Sequence, residues 1–97
     1  MTELTIPQRP SGTGSIHDIR DNMCERVIRF RKGTEYAVVL AAYYGPNVYT
    51  THKTEQAAAK EDIGNEMSSM IVDAEGYIYD THEYEEGQYR LIMNGHI

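Results

Sequence analysis

The chain has few of the residues on which small proteins usually build chemistry. Its 97 residues include one cysteine, one phenylalanine, no tryptophan and three prolines. The lone cysteine, Cys24, excludes an intrachain disulfide framework and any multi-thiolate zinc site, so a reducing compartment is expected. The apolar run Ala37 to Tyr44 spans eight residues, well short of the roughly 20 that cross a bilayer. Residues Met1 to Pro7 carry neither the basic stretch nor the apolar core of a secretory signal. The expectation is a cytoplasmic protein.

Reactive constellations are missing as well. The four histidines, His17, His52, His82 and His96, include no pair at the i, i+4 spacing of a helical metal site. A zinc site from His52, His82 and a carboxylate is conceivable, but strand-end histidines are the simpler reading. Nothing local supplies Cys24 with a dedicated base, and it reads as a small buried hydrophobe. Ser11, Ser15, Ser68 and Ser69 sit in no nucleophile-elbow pattern. The stretch Gly12-Thr13-Gly14-Ser15 precedes a predicted helix, yet no lysine follows it and no strand precedes it, as a phosphate-binding loop requires. The expectation is no catalysis, no metal and no cofactor.

What is present is one small acidic domain. A chain of this length supports one core and no second. The net charge is −6 and is unevenly placed. Residues 1–32 hold six basic and four acidic side chains, whereas residues 33–97 hold three basic and eleven acidic ones. An acidic field of this kind repels phosphate backbones, which argues against direct nucleic-acid binding and suits a basic protein partner.

Residues 1–14, with Pro7, Pro10, Gly12 and Gly14, read as a flexible N-terminal arm ahead of a single domain over 15–97. Ser15 reads as an N-cap, and Ile16, Ile19, Met23 and Val27 form one apolar face, predicting a helix near 15–27. Residues 26–31 fit either its last turn or a strand. Glu35 to Tyr44 reads as a central strand, and Val48 to Thr51 as its partner across the turn Gly45-Pro46-Asn47. Thr54 is placed to cap a second helix over 54–69, with Ile63, Met67 and Met70 on its buried face and Gly64 as a bend. Both helices are expected to pack on Val38, Leu40, Ile78 and Leu91. Further strands follow around Ile71-Val72, Tyr77 to Asp80 and Gln88 to Met93, separated by turns at Asp73 to Gly76 and Glu85 to Gly87. The fold class is α+β, with two helices on a mostly antiparallel sheet of about four to five strands.

Two features remain. Residues 48–55 and 78–85 repeat Tyr, Thr, His and Glu in register at a spacing of 30, read either as coincidence or as two strand ends that bring Thr51-His52 and Thr81-His82 together. The stronger signal is the segment from Asp73 to Glu86. It carries Asp73, Glu75, Asp80, Glu83, Glu85 and Glu86, together with Tyr77, Tyr79 and Tyr84, and no lysine or arginine. Such a run is commonly a solvated face. Tyrosine changes the reading, because its rigid ring with a polar tip is enriched in interfaces, where surrounding carboxylates can meet a partner's cations. These nine residues are the candidate partner-binding site.

In size, acidity and Tyr-carboxylate character the chain resembles small phage-encoded anti-defence proteins of the anti-CRISPR type, which share no motif. The resemblance implies a non-enzymatic inhibitor in the host cytoplasm that binds a basic protein or ribonucleoprotein surface of a CRISPR-Cas complex, and a homodimer is compatible with this reading. The rival class is a small-molecule binder such as a nucleotide second-messenger sponge, with Arg26, Arg29, Arg31 and Lys32 holding phosphates.

Overall fold

A computed structural model of the chain describes residues 2–6, 26–40, 49–65 and 69–97. Seven strands and one helix lie within them: β1 (Thr2–Ile6), β2 (Arg26–Phe30), β3 (Tyr36–Leu40), β4 (Tyr49–His52), α1 (Glu55–Gly64), β5 (Ser69–Asp73), β6 (Tyr77–Glu85) and β7 (Gln88–His96). β1 and β2 form a two-stranded antiparallel ribbon, and the rest form a five-stranded sheet in the order β4-β3-β5-β6-β7. Every neighbouring pair in that sheet is antiparallel. β4 and β5 therefore run parallel on either side of β3, and α1 is the crossover between them, as a parallel connection demands.

Side-chain alternation explains why three layers result. Ala37, Val38 and Val39 of β3 are all buried, so this central strand is covered on both faces. Ala37 and Val39, with Met70, Val72 and Ile78, meet Ile6, Ile28 and Phe30 of the ribbon in the larger core. Val38, Ile71 and Leu91 point the other way, against Ala58 and Ala59 of α1. The helix presents alanines where it touches the sheet, so it lies close to the strands. Thr54 caps it as expected, its Oγ1 accepting the Ala57 N–H at 3.1 Å.

The structure agrees with the α+β class and the mostly antiparallel sheet, and corrects several finer expectations. One helix, not two, lies among the described residues. Of the helix expected over 15–27, residues 15–25 fall outside them, while Arg26 and Val27 belong to β2. Ile28 and Phe30 are buried and Val27 is exposed, the period of a strand. Residues 2–6 of the expected arm are a strand that puts Ile6 in the core; residues 7–14 lie outside the described residues. The helix expected over 54–69 ends at Gly64, so that glycine terminates it and does not bend it. Ile63 is 52% exposed and Met70 belongs to β5, because the alanines and not the i, i+4, i+7 apolar spacing mark the buried side. Ile78 packs under the ribbon, on the sheet face opposite the helix.

Candidate functional site

The acidic segment folds into the turn between β5 and β6, the whole of β6, and the tip of the β6–β7 hairpin. Its two ends are built differently. At the inner end Asp73 organises the turn. One carboxylate oxygen accepts the N–H groups of Glu75 and Tyr77 at 2.9 and 3.0 Å, and the other accepts the Tyr79 hydroxyl at 2.6 Å. This is the local side-chain-to-backbone bonding that makes aspartate a turn residue. Gly76 closes the turn at φ 93, and a Cβ there would lie 2.9 Å from the His96 ring. That ring bonds the Glu75 carbonyl through Nε2 at 2.7 Å and stands edge-on to Tyr77, with centroids 4.8 Å apart.

Tyr79 stands edge-on to Tyr36 at 5.8 Å, and the pair borders a hollow of about 400 Å³ also lined by Thr34, Glu35, Asp73, Ala74 and Glu75. Burial and the Asp73 carboxylate push the Tyr79 phenol well above its ordinary value, and burial with Glu55, Glu35 and Asp73 raises Tyr36 too. Both phenols are therefore neutral hydroxyls at physiological pH. The hollow has the lining to receive a cationic side chain, through carboxylates and aromatic rings together.

The outer end is open. Asp80 is exposed and accepts the Asn94 side-chain amide at 2.8 Å. Glu83 accepts the Gly87 N–H at 3.3 Å and bonds the Tyr89 hydroxyl, whose proton it holds more tightly than usual. Glu85 and Glu86 are exposed at the tip. Tyr84 is 46% exposed, with the Arg90 guanidinium 4.5 Å from its ring centroid. The sequence reading did not include β7 in this surface. The register places His82 opposite Arg90, Asp80 opposite Ile92 and Tyr79 opposite Met93, so β7 supplies a cation and two exposed apolar side chains. The signal for it was the turn Glu85-Glu86-Gly87 between two extended segments, which makes each residue of β7 a neighbour of the acidic strand.

Other candidates are placed apart. His52 lies on β4 and His82 on β6, separated by β3 and β5, and among the described residues no three His, Cys, Asp or Glu side chains gather as a metal site. The 30-residue repeat is not a structural equivalence: Tyr49 packs toward the ribbon core, and Tyr79 toward the helix core. Ser69 is engaged by Asp62 of the helix end, which also accepts the Thr81 hydroxyl at 3.0 Å. His17, Cys24, Ser11, Ser15, Ser68 and the stretch 12–15 lie outside the described residues.

No protein-family model, curated protein or solved structure matches this chain. No helix among the described residues is long and apolar enough to cross a membrane.

Proposed function

We propose that this protein is a non-enzymatic interaction module whose β6–β7 hairpin docks on a basic protein or ribonucleoprotein surface. The observation that carries the reading is the outer end of the hairpin, where Tyr84 stands partly exposed beside Arg90 and the exposed carboxylates Asp80, Glu83, Glu85 and Glu86 lie along the same stretch of chain. A desolvated aromatic anchor ringed by charges that steer association is the usual division of labour in such interfaces. The Tyr36–Tyr79 hollow, with Glu35 and Glu75 beside it, lies on the helix face of the sheet, opposite Tyr84, and offers a second place for one partner lysine or arginine. Asp73, Tyr77 and Tyr79 serve this surface by shaping it.

The partner class follows from the resemblance to anti-CRISPR proteins: a basic surface of a bacterial defence complex, on which carboxylates occupy the place of phosphates. Phage plating on a CRISPR-Cas-defended host tests it. Expression of the wild-type chain should restore plating, and the combined variant Tyr84→Ala, Glu85→Lys, Glu86→Lys should not, while retaining its thermal stability. Plating restored equally by the folded variant places the interface elsewhere. With a purified complex, Glu86→Lys should mainly slow association and weaken its salt dependence. Tyr84→Ala should instead speed dissociation and cost about 2 kcal/mol or more of affinity.

A further inference from the structure

The opposite edge of the sheet carries a groove that the acidic surface does not use. It has a volume of about 480 Å³ and is lined by Arg29 and Arg31 at the end of the ribbon and by Tyr49, Thr50, Thr51 and His52 of β4. From its lining we propose that it binds a small phosphate-bearing anion, such as a nucleoside monophosphate. This inference is independent of the proposed docking role of the hairpin.

Three observations carry it. First, Arg29 on β2 and Arg31 just past its end are both exposed, while Ile28 and Phe30, beside and between them, turn into the core. Alternation therefore sends Arg29 and Arg31 to the same side, where two planar forks can take phosphate oxygens in bidentate fashion. Second, the frame under them is fixed. The Arg29 N–H donates to the Tyr49 hydroxyl at 3.1 Å, tying ribbon to β4. The Arg31 carbonyl accepts both the N–H and the hydroxyl of Thr34, at 2.9 and 2.6 Å. Third, the remaining lining is made of hydroxyls and an imidazole, with Thr50 Oγ1 and His52 Nε2 2.8 Å apart. These hydroxyls and the imidazole N–H can donate to phosphate oxygens beside the guanidiniums.

Among the described residues one carboxylate pairs with a residue of the site. Glu3 pairs with Arg29 at 3.2 Å, both side chains being more than half exposed. A surface pair of this kind contributes little, about 0–1 kcal/mol, so an anion that bridges both guanidiniums can displace it. Among the described residues no side-chain partner is seen for the Arg31 guanidinium. A volume of about 480 Å³ lies within the size range of small-molecule sites. The net charge of −6 opposes a long polyanion and opposes a compact one far less.

The test is a titration of the intact 97-residue chain by amide NMR at low ionic strength, with adenosine monophosphate, inorganic phosphate and adenosine in separate arms. The monophosphate should shift the resonances of Arg29, Arg31 and Thr50 to His52, and adenosine should not. Arg31→Ala should weaken binding about tenfold or more, the loss expected for charge-assisted hydrogen bonds. Arg31→Lys should fall between, since it keeps the charge and loses the fork. Glu3→Gln should tighten binding. Inorganic phosphate matching the monophosphate supports a bare phosphate site, and tighter monophosphate binding supports a nucleotide site. The proposal is overturned if adenosine binds as well as its monophosphate, if Arg31→Ala leaves affinity unchanged, or if no shift appears at these residues. A single-stranded oligonucleotide that binds far more tightly than the monophosphate would replace it with a nucleic-acid surface.

Discussion

The inner and outer ends of the acidic strand draw on the same residue types and are built differently. Near Asp73 the carboxylate, the two tyrosines and the glycine turn inward, and each has an intramolecular partner. Near Glu86 the side chains are exposed: Asp80 and Glu83 each keep one or two hairpin donors and Tyr84 lies under Arg90, while Glu85 and Glu86 stand in solvent. The difference comes from what lies across the strand. At the inner end β5 and the last residues of β7 close around the turn, where the Ile97 N–H donates to the Gly76 carbonyl at 2.9 Å. At the outer end β6 and β7 have run past the ribbon and pair mainly with each other. Composition alone does not separate a turn-building aspartate from a partner-seeking one; the number of donors within reach does.

The largest effect should come from breaking the inner end. Asp73→Ala removes the acceptor for three hydrogen bonds in a half-buried turn. At about 1 kcal/mol for each, a loss near 3 kcal/mol is expected in urea unfolding. Asp73→Asn should lose less, since its one carbonyl oxygen can keep part of the network. A loss under about 0.5 kcal/mol for Asp73→Ala would show that the turn does not depend on it. Gly76→Ala should follow at about 2 kcal/mol. Its positive φ disfavours a side chain, and the His96 ring that would have to move is held by the Glu75 carbonyl.

A smaller effect, and a distinctive one, concerns alkaline pH. Tyr79 and Tyr36 have phenols raised above 10.0 in the folded chain. In the unfolded chain they ionise near that value, while in the folded chain they keep their protons. Their contribution is therefore fully present below pH 10.0 and is lost as pH rises toward the folded values. Thermal unfolding followed from pH 8 to 11 should show the melting temperature falling above about 10. Tyr79→Phe should cost about 1 kcal/mol at neutral pH and make that fall shallower. An unchanged slope in Tyr79→Phe would remove Tyr79 from the alkaline transition.

How far the molecule could be read from its residues varies along the chain in the same way. β5, β6 and β7 were legible because their alternation is interrupted by strong turn residues, Asp73 to Gly76 and Glu85 to Gly87. Thr54 was legible as a cap because the alanines follow it directly. β1 was not, since its partner β2 begins twenty positions after β1 ends and Pro7 follows it at once. Ile63 misled because its spacing to Met67 and Met70 imitates a helical face, while tertiary packing against the sheet favoured the smaller Ala58 and Ala59. Within the candidate site, the residue types were visible and their division was not. Whether Tyr77 or Tyr84 is free depends on His96 and Arg90, which only the hairpin register brings alongside. The Arg29–Arg31 groove has the same origin, since it joins a ribbon to an edge strand of another sheet.

The smallest expected stability effect is at the outer end, and its smallness separates the two ends most sharply. Glu86 is exposed at the hairpin tip. It follows β6 directly and precedes Gly87, whose N–H is taken by Glu83 and whose carbonyl accepts the Gln56 side chain at 2.8 Å. Those bonds hold the tip without the Glu86 carboxylate. Glu86→Lys should therefore change stability by less than about 0.5 kcal/mol. Reversing one charge within an acidic cluster relieves repulsion among Glu83, Glu85 and Glu86, so the sign of that small change should be stabilising at low salt and vanish as salt screens the field. Denaturant midpoints at low and high ionic strength measure both. A destabilisation above about 1 kcal/mol would mean that the tip carboxylate is a structural member of the hairpin. The two ends of β6 would then differ in exposure alone and not in use.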